Sequence, residues 1–324
     1  MKAVYRKYRR EWSALLALVV TIILFSVLES AYLSVSNLTT IITQAVTYGL
    51  MGIGMTCVII TGGIDLSVGS ALALVACIGA QLAKAGLPIP VWVIVCLAMG
   101  FLLGAINGFL VGTLKLQPFV ATMGTMSIYR GISYVITGGF PVLSVPRQYR
   151  NVFNFQITPT MTFSVVVFLV FAVIMTIVLK KTKLGAHTYA IGGNEDAARL
   201  SGVRVDRTKI LIYGLAMLGT TLAGLVQVGR LGTGDPSTGS GYEMDAIAAA
   251  AIGGTSMAGG RGNIFGTVIG AILFSALKVG LIVMGVDTFY QFIVTGVVVI
   301  FAAYLEIVQG NMMQKGSKNE VRVK

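Results

Sequence analysis

Ten apolar runs follow one another along the chain, at approximately 12–32, 41–61, 66–84, 91–111, 118–137, 161–179, 210–229, 244–257, 264–284 and 288–308. A helix of about 20 residues crosses a hydrocarbon layer roughly 30 Å thick, so runs of this length predict membrane spans. None alternates strictly between apolar and polar positions. Backbone groups in lipid need partners, which a helix finds within its own segment, so the runs predict helices and not a barrel. The eighth run is short and is broken by Gly253, Gly254, Gly259 and Gly260, which predicts a half-helix. The expected fold class is all-α: a polytopic transmembrane helical bundle of about ten spans, organised as one domain over residues 1–324.

The polar connections then orient the bundle. With the N-terminus inside, eighteen Lys and Arg fall on the cytoplasmic side, while only Lys84, Arg147, Arg150 and Arg230 fall outside. That asymmetry follows the positive-inside rule, and an even number of spans returns the C-terminus to the cytoplasm. The formal charge of +12 is therefore a topology signal, and nucleic acid is not an expected partner. The basic start and first apolar run are followed by Glu29, Ser30, Ala31 and Tyr32, without an A-x-A-like cleavage pattern, so the run is expected to stay as the first span. Composition agrees: 56% of the 324 residues are hydrophobic and 11% charged, well below the roughly 25% charged usage of soluble domains.

Little in the chain suggests catalysis. Cys57, Cys77 and Cys96 each lie in an apolar run without paired short spacing, and the single histidine, His187, has no Cys or His nearby, so no metal site is expected. No Gly-Lys dipeptide occurs, which excludes the G-x-x-x-x-G-K-[ST] phosphate cradle. No cofactor is expected, and any ATP-driven movement must be powered by a partner. Gly232-Thr233-Gly234-Asp235 matches the G-x-G-D of intramembrane aspartyl proteases, but it falls in an outer loop without a second acid of the required signature. The lone cytoplasmic His187 leaves a rhomboid-type serine protease without its base.

Three polar stretches are informative. In the long cytoplasmic loop, 180–209, Gly192 and Gly193 lead into Asn194, which is suited to cap a short helix. Glu195 and Asp196 then occupy its positive first turn, Arg199 its negative end, Leu200 follows, and Gly202 takes the left-handed position beyond. Such a helix is either an ordinary solvated loop element or a rigid lever for a partner. Between the second and third runs, Gly63, Asp65, Ser67 and Gly69 surround an acid that would be costly in lipid. Asp65 reads as a helix cap beside close-packing glycines, or as part of a hinge at a transport path. The stretch 230–262 carries Tyr242, Glu243, Asp245, Gly253 and Gly254; irregular glycine-rich backbone at membrane depth belongs where protein or water surrounds it, which marks the centre of the bundle. Arg130 and Lys278 lie inside apolar spans, where snorkelling, an acid such as Glu243 or Asp245, or a solute would each account for them. Asn107, Gln117, Tyr129 and Tyr134 offer hydrogen bonds to a solute or between helices.

The order of these motifs resembles the membrane permease subunits of bacterial ribose-type ABC importers. The resemblance is carried by Gly63-Ile64-Asp65-Leu66-Ser67-Val68-Gly69-Ser70, by Gln117-Pro118-Phe119-Val120-Ala121-Thr122 with Arg130-Gly131, by Ala190-Ile191-Gly192-Gly193-Asn194 with Arg199-Leu200-Ser201-Gly202, and by Gly241-Tyr242-Glu243-Met244-Asp245-Ala246-Ile247-Ala248 with Gly253-Gly254-Thr255-Ser256. It implies a multi-pass protein of the bacterial inner membrane, paired with a second permease subunit, docked on a cytoplasmic ATPase and fed by an extracytoplasmic sugar-binding protein. The helix after Asn194 then looks like the coupling helix. Gly63, Asp65, Ser67, Gly69, Asn107, Gln117, Phe119, Tyr242, Glu243, Asp245, Gly253 and Gly254 become gate, hinge or pathway candidates. Permeases for nucleosides or amino acids, and an ATP-independent channel or carrier, are the alternatives.

Overall fold

The computed structural model describes residues 9–158, 161–287, 289–301 and 304. The basic residues expected near both termini, Lys2, Arg6, Lys7, Lys315, Lys318, Arg322 and Lys324, lie outside them, as does most of 302–308. Helices account for nearly all the regular structure: α1 (Arg9–Leu28), α2 (Val35–Ile60), α3 (Val68–Lys84), α4 (Ile89–Gly112), α5 (Pro118–Thr137), α6 (Arg147–Asn154), α7 (Phe163–Lys181), α8 (Lys183–Gly193), α9 (Glu195–Leu200), α10 (Val205–Leu231), α11 (Tyr242–Ile252), α12 (Ile264–Val283) and α13 (Phe289–Phe301). Each apolar run of the sequence overlaps one of them, the tenth over its described part, 289–301.

Local chemistry sets the boundaries. Pro118 occupies the first turn of α5, where its missing N–H costs nothing, and Gly138 ends the helix in the left-handed conformation. Gly232 ends α10 in the same way. At 11 residues, α11 rises only about 16 Å, too short to cross a membrane and in keeping with the expected half-helix.

The packing is inverted relative to a water-soluble globule. Of the five helices among the described residues that are long and apolar enough to cross a membrane, α4 and α7 are the most apolar and the least buried, whereas α2 is the least apolar and the most buried. Side chains such as Ile94, Leu102 and Val135 face outward, which is stable only against lipid or another chain. Helices α2 and α10 form the axis of the core, with α3, α4, α11 and α12 packed around them.

The loop near 138–160, expected on the outer side, is not featureless. It contains α6 and a two-strand antiparallel ladder of Gln156–Thr158 with Met161–Thr162, a small exception to the all-α expectation. The amphipathic α6 buries Tyr149 and Phe153 against Trp92, with ring centroids 5.3 and 6.3 Å away. The three cysteines are fully buried.

Candidate coupling helix and permease core

Helix α9 begins as its sequence requires. Asn194 is in extended conformation and its Oδ1 accepts the Ala197 N–H at 2.8 Å, one of the orphan donors of a first turn. Gly202 has φ 86° and donates its N–H to the Arg199 carbonyl. Glu195 ties the helix to the base of α10: its Oε2 accepts Lys209 Nζ at 2.7 Å, and its Oε1 lies 3.4 Å from Arg199, which also reaches Asp206 at 3.2 Å. Beneath, Ile191, Ala198 and Val205 form a small apolar core. Leu200, by contrast, is 91% exposed at the tip.

The root of this helix is held more tightly than the sequence indicated. Gly192 and Gly193 are not loop residues but the last turn of α8. A Cβ on Gly192 would overlap the Ile60 carbonyl oxygen and sit 2.5 Å from Gly260 N, and that same Gly260 N–H donates to Ile60 O at 2.9 Å. Tyr189 donates its hydroxyl to Gly262 O at 2.8 Å; burial pushes its phenol up to about 12, so it keeps its proton. The end of α2, the end of α8 and the glycine-rich stretch after α11 therefore meet at one point, directly below α9.

The second cluster gathers around Asp65. The acid is buried but does not cap α3; Ser67 does, without a side-chain bond. Asp65 instead closes a turn, accepting the N–H and hydroxyl of Ser67 at 2.9 and 2.7 Å on Oδ1, while Asn107 of α4 donates to Oδ2 at 3.0 Å and to Ser67 Oγ at 2.8 Å. Asp65, Ser67 and Asn107 thus form one buried network. Gly63 has no room for a side chain beneath Tyr213.

A repeated motif went unread in the sequence. Asp65-Leu66-Ser67-Val68-Gly69-Ser70 and Asp235-Pro236-Ser237-Thr238-Gly239-Ser240 share the pattern D-x-S-x-G-S, and Asp235 makes the same turn, accepting Ser237 N–H and hydroxyl at 2.8 and 2.7 Å. The segment after α10 runs back along α3, with Gly234 against Ala76 and Ala80, until Gly239 meets Gly69. Each glycine faces the other's carbonyl oxygen. Arg130 pins this returning segment by donating to the carbonyls of Pro236 and Thr238. Backbone oxygens, and not Glu243 or Asp245, take the cation.

Helix α11 follows. Glu243 Oε2 would lie 2.7 Å from a Cβ on Gly69, which brings the first and third polar stretches together. Asp245 is buried and paired with Lys278 at 2.7 Å, whose ammonium also lies 4.8 Å from the Tyr48 ring centroid and 4.9 Å from that of Phe274. Gly253 packs backbone to backbone on Gly266, and Gly254 turns the chain with φ 87°. Tyr242 makes an edge contact with Tyr48, centroids 5.6 Å apart. Not every candidate joins this core. Gln117 and Phe119 are exposed at the start of α5, and only Thr122, a turn further on, reaches Ile64. Tyr129 donates to Leu103 O at 2.8 Å, a helix-packing bond.

A lipid-facing helical bundle, interrupted by re-entering glycine segments and carrying a capped surface helix, defines a polytopic membrane protein of the permease class. Residues 37–303 match the family described as branched-chain amino acid transport system / permease component, and the chain belongs to that family. It is 40% identical over 299 residues to the ribose import permease protein RbsC of Escherichia coli strain K12, covering 91% of this chain and 93% of that protein. It is 40% identical over 297 residues to the RbsC of Bacillus subtilis strain 168, covering 90% and 91%. With the galactose/methyl galactoside import permease protein MglC of Escherichia coli K12 it shares 31% over 323 residues, covering 94% and 96%. No solved structure matches the chain. The motif-based resemblance agrees with these relatives.

Proposed function

We propose that the chain is the membrane-embedded permease subunit of an ABC importer that carries a monosaccharide across the cytoplasmic membrane by alternating access. Transport, not catalysis, is its role. The observation that carries the reading is α9: a capped, clamped, outward-facing helix whose root touches both α2 and the stretch after α11. A push on α9 moves Gly192 against Ile60 and Gly260, and through them the two ends of the core. The cargo class rests on the ribose and galactose relatives. In this reading a cytoplasmic ATPase docks on α9, a second copy of the permease completes the path, and an extracytoplasmic sugar-binding protein delivers the solute. The crossing of Gly69 with Gly239 is the hinge, and the Asp65–Ser67–Asn107 network holds one side of it rigid. Coupling requires that the contacts at α9 differ between the two access states.

Copurification of the tagged chain with its partners, followed by uptake in proteoliposomes, tests the proposal. Uptake of ribose, xylose or galactose is expected to need ATP, the ATPase and the binding protein together. Transport by the purified chain alone would refute it. The family description also names branched-chain amino acids, and competition of labelled sugar uptake by leucine discriminates that cargo.

A further inference from the structure

One stripe of α10 stays open along a helix that is otherwise sealed in the core. Between positions 211 and 222 the residues that are not buried are Leu211, Leu215, Leu218 and Leu222, whose three- and four-residue spacing puts them on one face. Continued toward the start of the helix, the same spacing reaches Arg207 and Arg204, both exposed. There the stripe opens into a groove of about 330 Å³, which Leu184 and His187 of α8 line from the other side.

The groove joins a leucine floor to a basic rim, and no carboxylate lines it. Among the described residues neither guanidinium is ion-paired, because the neighbouring acids Glu195 and Asp206 are taken by Lys209 and Arg199. An unpartnered arginine fork recognises phosphate oxygens, two N–H groups at a time. A soluble phosphate would leave Leu184 and Leu211 in water, whereas an amphiphile covers them. A choline or ethanolamine headgroup would add a cation to a site without an acid, so the amphiphile must carry net negative charge. Depth agrees with this. Arg207 and Arg204 precede Leu211 by four and seven residues, a rise of about 6 and 10 Å, which carries them from the hydrocarbon edge through the headgroup layer. We propose that this groove binds an anionic phospholipid, with Arg204 and Arg207 on its phosphate, Leu184 against its glycerol end and the leucine stripe of α10 under an acyl chain. The site is independent of the cargo. A lipid held there ties α8 to α10, the two helices that flank α9.

Binding of a fluorescent short-chain phosphatidylglycerol to the purified full-length permease in detergent, read by anisotropy, tests the assignment. Unlabelled phosphatidylglycerol is expected to compete, while phosphatidylcholine and inorganic phosphate at the same concentration are not. Arg204→Gln combined with Arg207→Gln should weaken binding about thirtyfold, the worth of two cations at a membrane surface. Lys115→Gln combined with Arg261→Gln removes the same charge elsewhere and should leave the affinity unchanged. Competition by phosphatidylcholine or by inorganic phosphate as strong as that by phosphatidylglycerol overturns the proposal, as does full affinity in the double arginine variant. Loss of ATPase copurification in that variant with phosphatidylglycerol affinity intact also overturns it and gives the groove to a partner protein. The competition series uses the unaltered chain, so it decides the matter even where the double variant fails to fold.

Discussion

Two adjacent glycines at the root of α9 make opposite demands on a methyl group. A Cβ on Gly192 overlaps the carbonyl oxygen of Ile60, whereas one on Gly193 meets nothing within 4 Å. Both lie in the last turn of α8, where alanine is intrinsically better than glycine by about 1 kcal/mol, so propensity alone predicts that either substitution stabilises. Packing reverses the sign at position 192. Accommodating the methyl group forces two backbones apart, which costs about 1–3 kcal/mol as overpacking. Separation also breaks the 2.9 Å Gly260–Ile60 bond, and each buried group left unpaired costs a further 1–3 kcal/mol or so. With both groups of that bond counted and the propensity gain subtracted, the net penalty is about 2–8 kcal/mol, and its lower end corresponds to a loss of the coupled arrangement on the order of 30-fold. Gly192→Ala should therefore reduce ATP-driven uptake at least about tenfold while the ATPase still copurifies, since the outward face of α9 is unchanged. Gly193→Ala should transport at the wild-type rate. Equal behaviour of the two variants, in either direction, would refute the claim that the lever acts through its contact with α2.

Other substitutions probe the remaining parts. Ala198→Pro removes the N–H that bonds Asn194 O at 3.0 Å and should break α9 at a cost of about 3 kcal/mol; uptake is lost while membrane insertion, followed by fractionation, is retained. Lys278→Met strands the buried Asp245 and should destabilise by about 3–5 kcal/mol, whereas the Lys278→Met, Asp245→Asn double variant recovers most of it, as read from thermal aggregation in detergent. Gly69→Ala drives a methyl group into Gly239 O and Glu243 Oε2 and should abolish uptake, while Gly131→Ala, which meets open space, should not; comparable uptake by both would remove the hinge.

Hydrophobic period and helix punctuation made the bundle legible. Run length and the glycine-broken eighth segment are properties of local chain, so they read through directly. The Asn194 cap and Gly202 stop were readable for the same reason. What stayed hidden depends on distant parts of the chain meeting. Nothing local to Gly192 says that Ile60 and Gly260 approach it, and Lys278 could be matched to Asp245 only as one of several acids. Arg130 shows the opposite failure: a search for acids overlooks carbonyls, which any re-entering segment supplies. The D-x-S-x-G-S repeat was visible in the letters, but the two copies are 170 residues apart and differ at their x positions, so only the matching turns and the touching glycines reveal them as a pair.

The meeting of those glycines restricts how the protein can be repaired. Where a large and a small side chain face each other, a damaged partner is rescued by resizing its neighbour. Here both sides are already at the minimum, and each is blocked by the other's backbone oxygen. Second-site revertants of Gly69→Ala should accordingly never arise at position 239. They should map to residues that steer the path of the returning segment, Arg130 first among them, so that a genetic selection would trace the route of the chain and not the contact itself.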